Sequence, residues 1–257
     1  MEELTLRERR NAILELLHRT GKVKVSELSG KFSVSEVSIR NDLAAMEEEG
    51  LLSRVHGGAI SAYDSYYNMS LAQRSNTNRE AKELIAQKVS ELIFDSNSVM
   101  TNAGTTTLAV MKKIGAARKD IRVVTNSIIL ALECSVSPNL HITLLGGEVN
   151  LDYQYVYGTL TLGELENYHT DVFIVSADGI DAEGGLTSYY DQEVDICRTM
   201  IKNSEKVIAV LDSSKLGKLT YKKVADCRDI DVLVTDKDAD MNIVRALKKQ
   251  NIEVILA

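Results

Sequence analysis

Residues 23–58, VKVSELSGKFSVSEVSIRNDLAAMEEEGLLSRVHGG, constrain this chain more than any other stretch. They read as a short helix, a tight turn, a second helix and a hairpin. Val25 precedes Ser26, a residue with N-cap chemistry, and Leu28 and Phe32 follow four apart on one helical face. Ser33-Val34-Ser35 interrupts that helix, and Ser35 can cap the next, with Ser38 three positions on. Val37, Ile39, Leu43 and Met46 supply the apolar positions of the second helix, which leaves Ser35, Ser38, Arg40 and Asn41 on or near its polar side. Gly50 follows three glutamates, as a C′ glycine does. Leu51 to Gly58 alternates and ends in a glycine pair, which suits a hairpin carrying Arg54 and His56. Upstream, Leu6, Arg9, Arg10, Ile13, Leu14, Leu16 and Leu17 make an amphipathic first helix that closes a three-helix core. The expected shape is a winged helix-turn-helix, whose second helix enters the DNA major groove.

The chemistry of that helix suits double-stranded DNA. An arginine such as Arg40 reaches guanine O6 and N7, and an asparagine such as Asn41 reaches adenine N6 and N7. Overall charge supports this only locally. Residues 1–60 hold nine Lys and Arg against ten Asp and Glu, a net charge of −1. The acids gather at Glu2-Glu3 and Glu47–Glu49, whereas the bases lie at Arg7–Arg10, Lys22–Lys31, Arg40 and Arg54. The expectation is a basic stripe with modest non-specific affinity. Tight binding then depends on self-association, as a dimer or tetramer held by residues 79–257.

This stretch resembles the DeoR family of bacterial transcriptional regulators. The resemblance rests on Val23, Val25, Leu28, Phe32, Val34, Ser35, Ile39, Arg40, Asp42, Leu43, Glu47, Gly50, Leu52, Arg54, His56, Gly57 and Gly58. Ser38 stands where Thr is usual, Asn41 where a second Arg is common, and Met46 where Leu is usual. The resemblance implies operator DNA as a partner.

A chain of 257 residues has room for a second, larger domain, and a hydrophobic fraction of 44% supports real cores. Residues 1–58 are read as the winged domain. The polar, aperiodic stretch 59–78, with Tyr63, Tyr66 and Tyr67, is read as a linker, and 79–257 as the larger domain. Cys134, Cys197 and Cys227 form no CxxC and lie near no His pair, so neither disulfides nor a metal site are expected. No run of 18 apolar residues exists and the N-terminus is polar and acidic, so a cytoplasmic protein with no membrane partner is expected. The net charge of −7, most of it in the larger domain, makes a polyanion partner unsuited to that part.

From Arg79 onward, short apolar runs alternate with helical patterns. Runs fall at Ser98–Thr101, Ile121–Thr125, His141–Leu145, Val172–Ser176, Val207–Leu211, Val232–Thr235 and Glu253–Leu256. Helices are expected at Arg79–Ile93, Thr107–Ile114, Ser127–Cys134, Glu193–Asn203 and Met241–Gln250. The fold class is therefore α/β with a mostly parallel sheet. Polar motifs follow five of the runs: Asn102-Ala103-Gly104-Thr105-Thr106-Thr107, Thr125-Asn126-Ser127, Gly146-Gly147, Ala177-Asp178-Gly179 and Asp212-Ser213-Ser214-Lys215. Ligands of open α/β sheets bind outside the carboxyl ends of the strands. Gly104 followed by Thr105–Thr107 at a helix start suits a phosphate. Lys215 adds positive charge, and Asp178, Glu193 and Asp212 suit sugar hydroxyls. Neither GxxxxGK[ST] nor GxGxxG occurs, so no nucleotide cofactor is expected.

This half also resembles the DeoR family, whose sensor domain looks like ribose-5-phosphate isomerase A and the coenzyme A transferases. The family's motifs appear as Asn102–Thr106, Thr125–Ser127, Gly146-Gly147, Asp178–Ile180 with Gly185–Thr187, Glu193 with Arg198 and Met200, and Asp212–Gly217. Ala81–Ala86 matches a common lead-in. Asn102 replaces an Asp, Arg198 replaces a Lys, and Leu151–Tyr157 lacks an Arg often found there. The resemblance implies a repressor of a carbohydrate uptake or catabolism operon, controlled by a phosphorylated sugar without turnover. The rival classes are a sugar-phosphate isomerase carrying a DNA-binding appendage and an architectural regulator without a ligand.

Overall fold

The computed structural model describes residues 5–48, 51–61 and 69–257. Its contacts divide the chain into two units, Met1–Ser70 and Leu71–Ala257. Gly50, Tyr63, Tyr66 and Tyr67 lie outside the described residues.

In the first unit, Thr5 and Glu8 form a capping box at the start of α1 (Leu6–Thr20), and Gly21 ends it in the left-handed conformation. There follow β1 (Lys22–Lys24), α2 (Val25–Phe32), α3 (Glu36–Glu48), β2 (Leu52–Val55) and β3 (Gly58–Ser61). Ser33, at φ 55°, turns the chain between α2 and α3. The three strands form an antiparallel sheet in the order β1-β3-β2. Ile13, Leu17, Leu28, Ile39, Leu43, Met46 and Leu52 meet in the core.

Three details depart from the sequence reading. The cap position of α2 is Lys24, not Ser26. β1 delivers the chain to Val25, whose N–H reaches Gly57 O at 2.9 Å. Val37 is 62% exposed instead of buried, because it lies about half a turn round α3 from Ile39 and Met46. Residues 59–61, expected in a linker, complete β3.

The second unit begins with α4 (Leu71–Asn76), also inside the expected linker. Then come α5 (Arg79–Leu92), β4 (Ser98–Thr101), α6 (Thr105–Ala117), β5 (Ile121–Thr125), α7 (Ile128–Cys134) and β6 (Leu140–Leu144). A hairpin follows, β7 (Glu148–Asn150) and β8 (Tyr155–Tyr157), leading to α8 (Thr159–Leu165), β9 (Thr170–Val175), β10 (Gly179–Asp181) and β11 (Gly185–Ser188). The chain ends through α9 (Asp191–Lys202), β12 (Ser204–Val210), β13 (Lys222–Ala225), β14 (Val232–Thr235), α10 (Met241–Lys248) and β15 (Glu253–Leu256).

Seven strands form one sheet in the order β15-β14-β12-β9-β4-β5-β6, and every neighbouring pair is parallel. Such a sheet is covered on both faces, which is why its strands read as apolar runs rather than alternating ones. One core packs Ile85, Val89, Met111, Ile114 and Leu130 from α5, α6 and α7 against Val99, Val123, Ile174 and Val210. The other packs Val194, Met200, Val244 and Leu247 from α9 and α10 against Met100, Phe173, Val207 and Leu233. All three cysteines are buried and unpaired.

The strands of the second unit absent from the sequence reading, β7, β8, β10, β11 and β13, have three or four residues each, as does the unforeseen β1 of the first, too few to show a period. They build the β7–β8 hairpin and a small antiparallel sheet, β10-β11-β13. No helix among the described residues is long and apolar enough to cross a membrane.

Candidate functional sites

The exposed side of α3 is the first site. Ser35 caps the helix by accepting from Ser38 N at 3.1 Å, and the two hydroxyls lie 3.0 Å apart. Arg40 and Asn41 are exposed beside Val37, so the open face carries an apolar group that the sequence reading had assigned to the core. A valine there suits contact with a thymine methyl. Arg40 Nη2 meets Glu36 Oε2 at 2.5 Å. At the hairpin, Arg54 binds Glu47 twice, N to Oε1 at 2.7 Å and Nε to Oε2 at 2.8 Å. Arg54 therefore pins the wing to α3, and His56 stands exposed at its tip.

The expected basic stripe is narrower than the sequence suggests. Arg9 Nε lies 2.6 Å from Asp42 Oδ2 and Arg10 Nε lies 3.6 Å from Asp42 Oδ1. Asp42 is buried, so two of the stripe's arginines are committed to clamping α1 on α3.

The second site lies at the carboxyl ends of the parallel strands. Strand order reverses between β4 and β9, and a crevice opens where such a reversal occurs. Asn102 spans it: its Nδ2 donates to Ser176 O at 3.0 Å, and Ser176 N donates to its Oδ1 at 3.0 Å. Asn126 takes Ala103 N on Oδ1 at 3.0 Å, and its Nδ2 donates to Val156 O at 3.2 Å and Glu193 Oε1 at 3.4 Å. Thr125 Oγ1 donates to Thr101 O at 2.8 Å and accepts from Ser127 N at 3.1 Å. Ser127 in turn caps α7 through Leu130 N at 3.2 Å.

At the glycine-threonine turn the chain itself comes close to the glycine, and the Thr107 hydroxyl is engaged by the backbone. A Cβ on Gly104 would stand 2.1 Å from Ser176 Oγ, so the close approach that glycine permits here is to β9. The Thr107 hydroxyl donates to Asn102 O at 3.0 Å and Gly104 O at 2.9 Å. Thr105 is half-buried and Thr106 is buried.

Gly146 and Gly147 serve α8 and β8. Gly146 N donates to Glu164 Oε2 at 2.7 Å, and Thr161 Oγ1 donates to Gly146 O at 2.7 Å. Gly147 has φ 148°, and a Cβ on it would lie 2.2 Å from Thr161 Oγ1 and 2.5 Å from Tyr157 O.

Three expected residues do come within electrostatic reach of one another. Asp178 Oδ2 accepts from Ser188 Oγ and Tyr189 N, each at 3.0 Å. Burial pushes the Lys215 amine down to about 8, against the pull of Asp178 and Asp212. Burial pushes the Glu193 carboxyl up to about 8; Asn126 opposes this and the charge of Asp178 adds to it. At neutral pH Glu193 therefore carries its proton and Lys215 its charge. Asp212 accepts from Asn78 Nδ2 at 2.8 Å and from Ser214 N at 3.1 Å.

The largest omission from the sequence reading is Arg74 on α4. It is buried, with its guanidinium carbon 4.4 Å from the Tyr153 ring centroid and 5.1 Å from that of Tyr190. Its charge acts on Glu193, Lys215 and Lys82. Polar neighbours hid it in an apparent linker; the one available signal was an arginine five residues ahead of the Arg79 helix.

Comparison with known proteins accords with both units. Residues 9–64 match the DeoR-like helix-turn-helix domain, and residues 77–237 match the DeoR C terminal sensor domain. The HTH-type transcriptional regulator GolR of Listeria innocua is 32% identical over 250 residues, covering 97% of this chain and 98% of its own. The HTH-type transcriptional repressor GlcR of Bacillus subtilis is 31% identical over 249 residues, 97% of this chain and 95% of its own. The glycerol-3-phosphate regulon repressor of Escherichia coli is 32% identical over 249 residues, 97% and 98% respectively. Among solved structures, ribose 5-phosphate isomerase A of Methanocaldococcus jannaschii aligns over 55% of this chain and 56% of its own, at 16% identity and a TM-score of 0.39. With both domains matched in order and relatives aligned end to end, the chain belongs to the DeoR family of transcriptional regulators.

Proposed function

We propose that this protein represses a carbohydrate uptake or catabolism operon and is released from its operator by a phosphorylated sugar. The observation that carries the effector half is the charged cluster beside the carboxyl ends of the parallel strands, buried except for the half-buried Lys215. Arg74 and Lys215 stand there among Asp178, Glu193 and Asp212, which offers an anion its counter-charges and a polyol its hydrogen-bond partners. The regulon named for the Escherichia coli relative is itself one of a phosphorylated polyol.

In this reading Ser35, Ser38, Arg40, Asn41, Arg54 and His56 meet DNA. Asp178, Glu193 and Lys215 meet the effector. Asn102, Gly104–Thr107, Thr125–Ser127 and Gly146-Gly147 shape the crevice. The working species is a cytoplasmic dimer or tetramer, because one winged unit offers too few contacts to find an operator among competing sites.

The test is a melting-temperature screen of phosphorylated sugars beside their unphosphorylated parents, followed by operator release. A ligand at a hundred times its Kd adds about 2.7 kcal/mol of stability, which a melt resolves. At least one phosphorylated compound is expected to raise the melting temperature and weaken operator binding, while its parent does neither. A flat response across the series removes the effector reading.

The second reading, an isomerase with a DNA-binding appendage, draws on Glu193, a buried carboxyl whose raised pKa suits proton transfer near neutrality. Incubation with ribose 5-phosphate and assay for the ketose separates the two. No ketose is expected from a sensor.

A further inference from the structure

We propose that β6, the open edge of the seven-stranded sheet, pairs antiparallel with β6 of a second copy of this chain across a two-fold axis. The inference rests on the self-association reading above and names the surface that carries it.

β6 has one neighbour, β5, and no described strand pairs with its other edge. His141, Thr143 and Leu144 are exposed, and Ile142 is half-buried. A bare edge is a template for another strand, and proteins that keep one unpaired guard it with lysine, proline, inward charge or a bulge. β6 has none of these. Its residues are Leu-His-Ile-Thr-Leu, and its register with β5 runs unbroken from Leu140 to Leu144. No lysine or arginine occurs anywhere between Arg122 and Arg198. The opposite edge, β15, carries an exposed charge at Glu253.

A pair of short strands alone makes too small an interface, since a stable one takes about 800 Å² from each partner. The two faces of the sheet supply the rest. On one face, Leu130 and Cys134 of α7 share a core with Leu140, while Leu132 of the same helix stays 65% exposed. On the other, Leu145 and Leu165 share the second core. There Leu160 of α8 is 61% exposed, and its Cδ2 would lie 3.7 Å from a Cβ on Gly146, just past the end of β6. Uncovered leucines therefore stand on both faces beside the bare edge, and apolar surface left open in this way marks an interaction site.

Symmetry selects the occupant. A two-fold axis perpendicular to a strand sets two copies of it antiparallel, and such a contact uses one patch twice. Centred on Ile142, the pairing places Leu140 against the partner's Leu144 and His141 against the partner's Thr143. No like charges then face each other, which is the condition an antiparallel pair must meet. Helix-turn-helix proteins read two half-sites related by a pseudo-two-fold axis, so the occupant that operator binding calls for has the symmetry that this edge accepts. β5, the neighbour of β6, ends at Thr125, where the crevice motif Thr125–Ser127 begins, so interface and crevice share a strand.

The test uses the full chain in sedimentation equilibrium at micromolar concentration. Wild type is expected to self-associate. Thr143→Lys with Leu144→Lys puts the missing guards on exposed positions and should raise the dissociation constant roughly 100-fold, through like charges brought together. A wild-type tetramer should fall to a dimer. Lys248→Glu, exposed on α10 beside the opposite edge, should change nothing. Cross-linking gives a second measurement. The native cysteines are all buried, so a short bismaleimide should join Thr143→Cys into a covalent dimer, and Lys248→Cys should stay single.

An unchanged dissociation constant in a folded lysine variant overturns the β6 pairing and leaves self-association intact. Cross-linking of Thr143→Cys no greater than that of Lys248→Cys does the same. A wild type that stays monomeric at micromolar concentration removes both the pairing and the self-association reading. If the lysine variant does not fold, the cross-linking alone decides.

Discussion

Asn102 and Ser176 exchange two hydrogen bonds of 3.0 Å, side chain to backbone in both directions, across the point where strand order reverses. An amide serves both ends at any pH, since one atom must donate and the other accept, whereas a carboxyl does so only when protonated. Asn102→Asp would turn a carboxylate oxygen towards the Ser176 carbonyl at a buried position. It is expected to destabilise the second unit by about 1–3 kcal/mol, or more while the carboxylate stays charged. Chemical denaturation of the two proteins at pH 7 measures the difference, and equal midpoints would show that the exchange contributes nothing.

Gly104→Ala places a methyl 2.1 Å from Ser176 Oγ. The expected cost is about 1–3 kcal/mol from overpacking. Ser176→Ala in the same chain removes the clashing oxygen and should return most of that loss. A double-mutant cycle by thermal melting reads the coupling directly; strictly additive effects would place the cost of Gly104→Ala elsewhere.

Glu193 predicts a pH dependence with a definite sign. Its carboxyl titrates at about 8 when folded, above the ordinary carboxylate value of 4.5, chiefly through burial. Between these two pH values the folded state holds a proton that the unfolded chain has released, so stability falls as pH rises. The contribution is whole below about 4.5 and gone above about 8. Lys215, pushed down to about 8, acts only above that pH, where its contribution runs the other way. Glu193→Gln should flatten the profile between pH 5 and 8. An unchanged slope in denaturant melts across that range would rule out a buried, proton-bearing Glu193.

At the DNA-facing helix, the Arg40–Glu36 pair is exposed and worth about 0–1 kcal/mol, so Arg40 is readily released to DNA. Arg40→Ala should cost roughly 1–3 kcal/mol on the operator if the contact is bidentate to guanine. Glu36→Gln should tighten binding slightly, most visibly at low salt. Arg54→Ala loosens the wing by removing the Nε bond to Glu47, leaving only the backbone N–H bond, and should weaken operator and random DNA alike. Gel shifts on both DNAs at two salt concentrations separate these effects. Equal losses for Arg40→Ala on both DNAs would assign Arg40 to phosphate contact.

The helix-turn-helix was legible because its signals are local: a serine cap, a four-residue apolar step, a glycine pair. The seven parallel strands were legible because burial on both faces leaves apolar runs that need no partner to be noticed. What escaped depends on distant neighbours. Val37 looks like its apolar companions on α3, and only the angle round the helix exposes it. Arg9 and Arg10 read as a DNA-facing stripe until Asp42, some thirty residues on, claims them. Gly104 reads in the sequence as room for a phosphate and Gly147 only as half of a polar motif; their neighbours in space are Ser176 and Thr161, which nothing near them in sequence announces. Arg74 lies among Ser, Asn and Thr, and its importance comes from Tyr153 and Tyr190, 79 and 116 residues away.

The position of β4 in the middle of the sheet has a consequence for synthesis. Its partner β9 is made late: Ser98 at the foot of β4 and Asp171 at the foot of β9 are joined by a 2.7 Å hydrogen bond across 73 residues. Translation at about 5–20 residues per second leaves β4, β5 and β6 waiting for several seconds with one central edge bare. In that interval a nascent chain exposes the apolar flank that the finished protein hides most deeply, and crowded ribosomes on one message bring such flanks together. Slowing translation between residues 126 and 169 should therefore lower the soluble yield, and a chaperone that shields emerging strands should restore it.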